Sequence, residues 1–155
     1  MTTFSSTSLE TLPPLSTGAG TPTATPSRPG GTLGVLVVDD EPLIRELLAR
    51  YLRLKGFRPY LAASGREAVD AYTSGSAGID IVLMDVRMPG MDGPAALAAL
   101  RRFDPRVRCC FMSGDLGVHT SEELAEMGVR HLFVKPLNLA DLAEELQKVA
   151  ECPAV

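Results

Sequence analysis

The fold is decided by the segment IDIVLMDVRMPGMDG, residues 79–93. It begins with apolar residues rich in β-branched types, a pattern typical of a strand buried on both faces of a parallel sheet. The run ends on Asp85, and the proline and two glycines that follow exclude a continuing strand or helix. Open α/β sheets place their sites at the carboxyl edge of the strands. A buried carboxylate there needs a cation or hydrogen-bond donors, so Asp85 is either a site residue or the start of a turn.

Three further apolar runs also end on polar residues. They are residues 35–38 before Asp39, Asp40 and Glu41, residues 107–112 before Ser113, and residues 129–134 before Lys135. Residues 57–62 form a weaker fifth strand candidate. Each run is predicted to be a strand of a parallel sheet, because helical patterns separate the runs from one another.

The helices between these runs have recognisable start signals. These are Pro42, the capping-box pairs Ser64 with Glu67 and Thr120 with Glu123, the Ala/Leu-rich run that follows Pro94, and Asn138 before the last helix. Proline suits the first turn of a helix, and a Ser/Thr-x-x-Glu spacing satisfies free N–H groups at its start. Arg45 and the other basic residues of the first helix are interpreted as a solvated face, with a docking surface as the alternative. The alternation predicts an α/β fold of the (βα)5 type, a doubly wound five-stranded parallel sheet in a single domain.

Residues 1–32 differ in composition from the rest of the 155-residue chain. Of these 32 residues, 23 are Ser, Thr, Pro or Gly. Such a segment cannot bury enough apolar surface to offset the entropy lost on ordering, so we expect a disordered tail followed by one domain at residues 33–155.

The composition also excludes several classes of protein. A net charge of −4 provides no basic field for direct binding of nucleic acid. No apolar run reaches the ~20 residues of a membrane span, and the first residues lack the features of a secretory signal. We therefore expect a cytoplasmic protein with no membrane insertion.

The three cysteines lack the spacing of a metal site. Cys109 and Cys110 are adjacent in an apolar run, and Cys152 lies near the last residue. Adjacent strand residues point to opposite faces of a sheet, so we expect the pair to be reduced and buried.

The polar residues at the strand ends should meet at one edge of the sheet. Three carboxylates in close contact repel one another unless a cation lies among them, and hard oxygen ligands favour Mg²⁺. A lysine and a hydroxyl nearby suit the oxygens of a phosphoryl group. Asp85, central in this set, is then a candidate nucleophile of aspartyl-phosphate chemistry.

The chain from Leu33 to about Ala150 resembles a response-regulator receiver domain of the flavodoxin-like, chemotaxis type. The resemblance rests on Val37-Val38-Asp39-Asp40-Glu41, on residues 84–93, on Met112-Ser113-Gly114 and on Val134-Lys135-Pro136. It implies the strand order 2-1-3-4-5 and a role in two-component signalling. It also implies a phosphoacceptor rather than a conventional enzyme.

The resemblance also assigns roles to individual residues. Asp85 would accept a phosphoryl group from the phosphohistidine of a sensor histidine kinase or a phosphotransfer protein. Asp40, Asp85 and the backbone carbonyl of Arg87 would bind Mg²⁺, and Asp39 would assist through a water. Ser113 and Lys135 would contact the phosphoryl oxygens, and the bond from Lys135 to the following proline would be cis. With no output domain in the sequence, we expect a stand-alone receiver that acts in trans on an unknown protein.

Two positions call for separate hypotheses. Where the family often has an aromatic residue three positions before the lysine, this chain has Leu132, and the neighbouring Phe133 should face the opposite side of the strand. Arg87 and Asp115 each lie two residues after a site residue. We expect these two side chains either to pair across the site and lengthen the phosphoryl lifetime, or to be independently solvated.

Two alternative functions remain open at this point. One is a receiver that binds a partner constitutively or acts as a phosphate sink. The other is a Mg²⁺-dependent phosphohydrolase similar to haloacid dehalogenase-like proteins. Those proteins carry their acidic pair at the first strand, whereas Asp85 follows the third, which argues against the second alternative.

Overall fold

A computed structural model describes residues 31–74, 78–115 and 119–152. The predicted tail falls almost wholly outside these residues, apart from Gly31 and Thr32, which are exposed. The division of the chain at residue 33 therefore stays a prediction.

Five strands and five helices alternate along the described chain. In order they are β1 Gly34–Val38, α1 Pro42–Leu54, β2 Arg58–Ala62, α2 Gly65–Thr73, β3 Ile81–Asp85, α3 Gly93–Phe103, β4 Cys109–Ser113, α4 Ser121–Glu126, β5 His131–Val134 and α5 Leu139–Glu151. All paired strands are parallel, in the order β2-β1-β3-β4-β5. The predicted α/β fold, with its doubly wound sheet and its strand order, is confirmed. None of the helices in the described ranges has the length and apolar character needed to cross a bilayer.

The sheet separates two apolar cores. Leu36 and Val38 of β1 point to the side covered by α2, α3 and α4, while Val35 and Val37 point to the side covered by α1 and α5. Both faces of β1, β3 and β4 are buried, which explains their nearly continuous apolar sequences.

Cys109 and Cys110 follow the same alternation. Cys109 belongs to one core and Cys110 to the other, and both are free thiols, as predicted. Burial raises the pKa of Cys110 to about 12 and raises that of Cys109 well above its ordinary range. These thiols are therefore apolar packing groups.

The sequence pattern predicts starts for β3, β4 and β5 that lie two residues before the starts in the structure. Ile79, Val107 and Val129 precede the strands, yet all three pack against the core on the α2–α4 side. Their apolar character reflects burial of the loops that enter the sheet, which periodicity alone does not distinguish from strand pairing.

The predicted helix caps are present, with one difference in detail. Thr120 and Glu123 form a complete capping box at α4, and the Asn138 side chain caps α5. At α2, the Ser64 hydroxyl accepts a hydrogen bond from the N–H of Glu67 at 3.1 Å. The Glu67 carboxylate accepts from the N–H of Ala63 at 2.7 Å, so the reciprocal bond goes one residue further back than a capping box requires.

Candidate functional site

Parallel pairing brings the polar strand ends to one edge of the sheet. Asp85 is the last residue of β3 and Ser113 the last of β4, while Asp39 and Lys135 directly follow β1 and β5. The register places Asp85 beside Met112, the residue before Ser113. The structure therefore brings together residues that lie as much as 96 positions apart in the sequence.

Lys135 lies between two carboxylates. Its Nζ is 3.0 Å from Oδ2 of Asp39 and 3.2 Å from Oδ2 of Asp85. The Asp39 side chain is 0% exposed, that of Asp85 10% and that of Lys135 20%. Ion pairs in such surroundings are screened little by solvent. The Lys135–Pro136 peptide bond is cis, as the resemblance implied.

Asp39 is held by further hydrogen bonds. Its Oδ1 accepts from the N–H of Glu41 at 2.9 Å, and Nη1 of Arg45 donates to its backbone carbonyl at 2.6 Å. Arg45 was interpreted from the sequence as part of a solvated face, and this contact corrects that interpretation. The available signal was its place in the first turn of α1, because helical side chains lean towards the N-terminus of their helix.

The titration of the site reflects burial and charge together. Burial and the charge of Asp39 raise the pKa of Asp85, although Lys135 opposes the shift. Burial alone would lower the pKa of Lys135. The hydrogen bonds and charges of the two carboxylates together outweigh that effect, so the pKa of Lys135 is raised. The lysine therefore stays a cation beside the two acids.

The three acids have the donor set of a magnesium site. Carboxylate oxygens of Asp39, Asp40 and Asp85 all lie within 4.8 Å of one another. Asp39 and Asp85 are buried while Asp40 is exposed, so the cluster is open on one side to solvent. Mg²⁺ prefers hard oxygen ligands and keeps several waters, and an open cluster of carboxylates fits this preference. The N–H of Arg87 donates to Oδ1 of Asp85 at 3.3 Å, and the Arg87 carbonyl remains a predicted ligand.

Ser113 supplies a hydroxyl that is not used within the described protein. The residue is 4% exposed, and its Oγ has no hydrogen-bond partner in the described ranges. Buried hydroxyls are normally paired, and an unpaired one is an indication of a ligand or water partner.

Arg87 and Asp115 form the ion pair that was predicted as one of two possibilities. Nη1 of Arg87 lies 2.7 Å from Oδ2 of Asp115, and the two side chains are 61% and 70% exposed. The pair joins the residue two positions after Asp85 to the residue two positions after Ser113. Its effect on phosphoryl lifetime stays a prediction.

Leu132 and Phe133 lie on opposite faces of β5, as predicted. Leu132 packs against the core on the α2–α4 side, whereas Phe133 is buried in the α1–α5 core. The Phe133 ring lies 4.4 Å from that of His131, centroid to centroid. Phe133 therefore does not replace an aromatic residue at position 132.

The order of these residues along the chain agrees with one known protein family. The family model described as "Response regulator receiver domain" matches residues 35–147. The chain belongs to this family. Receiver domains are phosphoacceptor domains of two-component signalling, not conventional enzymes, and this disfavours the phosphohydrolase alternative.

Similar proteins cover the same part of the chain. Sporulation initiation phosphotransferase F of Bacillus subtilis is 31% identical over 114 residues, which are 74% of this chain and 90% of that protein. Regulatory protein AtoC of Escherichia coli K12 is 33% identical over 117 residues, which are 76% of this chain but 25% of AtoC. The chain thus spans a quarter of that relative's length.

A solved structure extends the similarity to a complex with ligands. The CheX–CheY–BeF3–Mg²⁺ complex from Borrelia burgdorferi matches with a TM-score of 0.70 and 31% identity. The match covers 76% of this chain and 88% of the chain in that complex. Receiver domains bind Mg²⁺ at an acidic pocket and interact with histidine kinases or phosphotransfer proteins. The acidic cluster of this chain lies at the carboxyl edge of its sheet.

Proposed function

We propose that this receiver is switched by transfer of a phosphoryl group to Asp85. The donor is the phosphohistidine of a sensor histidine kinase or a phosphotransfer protein, and the phosphorylated domain, residues 33–155, acts in trans on a protein target. The observation that carries the proposal is the cluster of three carboxylates, two of which share the ammonium group of Lys135.

The transfer needs an ionised carboxylate on Asp85. Lys135 supports this form, since its charge and hydrogen bond oppose the rise in pKa that burial of Asp85 causes. An oxygen of Asp85 attacks the phosphorus, and an O–P bond forms as the P–N bond to the donor imidazole breaks. The imidazole leaves with the electron pair and takes up a proton.

The remaining residues stabilise the charge on the phosphoryl group. Asp40, Asp85 and the Arg87 carbonyl would hold Mg²⁺, with Asp39 assisting through a water, and the ion would supply positive charge to the phosphoryl oxygens. The Ser113 hydroxyl donates a hydrogen bond to one phosphoryl oxygen, and Lys135 pairs with another. The free hydroxyl of Ser113 supports this role.

Phosphorylation by a small donor tests the assignment of Asp85. We expect wild-type protein incubated with acetyl phosphate and Mg²⁺ to gain the mass of one phosphoryl group, and Asp85→Asn to gain none. Asp92→Asn is a matched control, because it removes a nearby carboxylate while asparagine still caps α3. Equal phosphorylation of wild type and Asp85→Asn would overturn the proposal. So would transfer from acetyl phosphate to wild type when a chelator of Mg²⁺ is present from the start.

A second candidate function rests on Leu132. A leucine packed against the core offers no ring that could turn inward when Ser113 moves, so a receiver that binds its partner constitutively or acts as a phosphate sink remains the alternative. Beryllofluoride with Mg²⁺ separates the two functions. In the switch, NMR signals of α4 and β5 shift in wild type but not in Asp85→Asn; in the alternative, they stay unchanged in both.

The exposed pair of Arg87 and Asp115 would set how long the phosphoryl group lasts. Both residues follow site residues by two positions, and their side chains meet at 2.7 Å. A bridge at this position would restrict the approach of the water that attacks the phosphorus. The pair would therefore slow hydrolysis without taking part in the transfer itself.

A further inference from the structure

His119 lies between the first residues of two helices. Its Nε2 is 3.2 Å from Oδ2 of Asp92, the residue that caps the N-terminus of α3. Its Nδ1 is 4.0 Å from Oε2 of Glu123, the acidic residue of the α4 capping box. The imidazole, which is 26% exposed, therefore connects the two helix N-termini.

The two carboxylate oxygens of Asp92 make different contacts, one with α3 and one with the residue that precedes the cap of α4. Its Oδ1 accepts a hydrogen bond from the N–H of Ala95 at 2.9 Å, which caps α3. Its Oδ2 is the atom that faces His119. Because the two contacts use different oxygens, the cap of α3 and the tie to His119 exist together.

The tie matters because α4 is weakly anchored. The helix has six residues, Ser121–Glu126, and Leu124 is its one buried residue. Short helices in water are marginal without packing or capping, so the capping box and the contact of His119 add to the stabilisation that burial of Leu124 provides. His119 comes directly before the N-cap residue, Thr120, and so acts where the helix starts.

Protonation changes what the imidazole can bind. A neutral ring donates to Asp92 only in the tautomer with its proton on Nε2, whereas the imidazolium always carries that proton and also attracts the Glu123 carboxylate, 4.0 Å away, by its charge. The groups that face the ring are these two carboxylates, one from the loop after β3 and one from α4, together with the positive ends of the two helices. The helix ends oppose a cation there, and the two carboxylates offset them.

We propose that His119 is a positioning residue that ties the start of α4 to the cap of α3, and that protonation of its ring tightens the tie. His119 lies six positions after Ser113, the last residue of β4. The inference concerns the unphosphorylated protein and holds or fails independently of phosphoryl transfer.

Hydrogen exchange across α4 tests the tie in the full chain without any phosphoryl donor. The N–H groups of Leu124 and Met127 donate to the carbonyls of Thr120 and Glu123, each at 3.1 Å. After correction for intrinsic exchange, we expect their protection to rise by about two- to fivefold between pH 8 and pH 5.5. Protection in α1 serves as an internal reference for global stability.

Three variants assign the effect to His119. His119→Gln should remove the pH dependence in α4, and so should Asp92→Asn, in which asparagine still caps α3. His131→Gln should retain the dependence, because His131, the other histidine of the chain, contacts Glu145 on α5 at 3.7 Å. The proposal is overturned if wild-type protection does not change with pH, if His119→Gln or Asp92→Asn keeps the change, or if His131→Gln loses it.

Discussion

Two cations near the proposed acceptor, Lys135 and Arg87, contact carboxylates, and these contacts differ mainly in burial. Lys135 reaches Asp39 and Asp85 from a side chain that is 20% exposed, and the Asp39 side chain is fully buried. Arg87 and Asp115 are 61% and 70% exposed, although their separation of 2.7 Å is the shorter one. Distance alone would therefore rank the two contacts in the wrong order of importance to the fold.

Burial changes the consequence of losing a partner. When a buried ion pair loses one member, the remaining charge stays in a poor solvent for ions, at a cost of roughly 3–5 kcal/mol. When an exposed pair loses one member, water replaces it, and the loss is at most about 1 kcal/mol. We therefore expect the contact of Lys135 to affect stability and that of Arg87 to affect kinetics.

The largest effect should come from removal of the buried cation. Lys135→Met leaves the carboxylates of Asp39 and Asp85 facing each other, and because Lys135 is partly exposed, we expect a loss of about 2 kcal/mol in the free energy of unfolding. Urea denaturation in buffer without Mg²⁺ measures this loss. Added Mg²⁺ should restore part of it by replacing the missing positive charge.

A lysine on the surface provides the control for Lys135→Met. Lys148 contacts Glu144 at 3.3 Å and Glu145 at 3.1 Å, but its side chain is 56% exposed. We expect Lys148→Met to leave the urea midpoint unchanged. Equal midpoints for the Lys135 variant and wild type would contradict the assignment of Lys135 as a structural cation.

Neutralising Asp85 should have a smaller effect of opposite sign. The pKa of Asp85 is raised by burial, so the folded state without Mg²⁺ holds its ionised form less well than the unfolded state does. Stability is then lost as the pH rises from the ordinary pKa of 3.8 to the raised value, and Asp85→Asn avoids this loss. We expect the variant to be more stable than wild type at pH 7 and equally stable below the ordinary pKa.

Denaturation of both proteins at several pH values, in a chelating buffer, checks this prediction. A variant less stable than wild type at pH 7 would show that the contact with Lys135 outweighs the burial of Asp85. The comparison also tests whether the site sacrifices stability for chemistry, since an asparagine keeps the shape of the side chain.

The cluster around the buried Lys135 contact could be predicted from the sequence, for a geometric reason. Carboxyl ends of parallel strands share one edge of a sheet, so Asp39, Asp85, Ser113 and Lys135 could be placed together once their strands were recognised. Strand starts were less accurate, because Val107 and Val129 are buried outside the strands and so imitate them.

Contacts between loops could be predicted only in part. The pairing of Arg87 with Asp115 could be predicted because each residue lies two positions after the last residue of a strand. Two other contacts follow neither a shared position after a strand end nor a helix or strand periodicity. They are the contact of Arg45 with the Asp39 carbonyl and that of His119 with Asp92. They depend on how loops of different length approach each other, which local sequence patterns do not determine.

Loss of the exposed pair should change the phosphoryl lifetime. We expect Arg87→Asn to speed dephosphorylation by up to about fivefold, the rate equivalent of the roughly 1 kcal/mol available to an exposed pair. The measurement is the decay of phosphorylated protein after the donor is removed. Arg102→Asn, which changes an exposed arginine on α3, is the control. An unchanged decay rate in Arg87→Asn would exclude the bridge as the cause of a long lifetime.

Exchanging the two charges should restore most of that lifetime. Arg87→Asp combined with Asp115→Arg keeps the pair while reversing its direction, so the double variant should decay more slowly than either single variant. A double variant that decays as fast as the single ones would show that Arg87 acts by its own charge on the phosphoryl group and not through the bridge.

The smallest effect should be the response of the lifetime to salt. The Debye length falls from about 10 Å at 0.1 M salt to about 3 Å at 1 M, so an exposed pair weakens while a buried one changes little. We expect the decay of wild type to approach that of Arg87→Asn as salt rises at constant Mg²⁺, while the variant itself changes little. If wild type and variant respond equally, the salt acts on Mg²⁺ or Lys135 instead, and the exposed pair has no separate role in the lifetime.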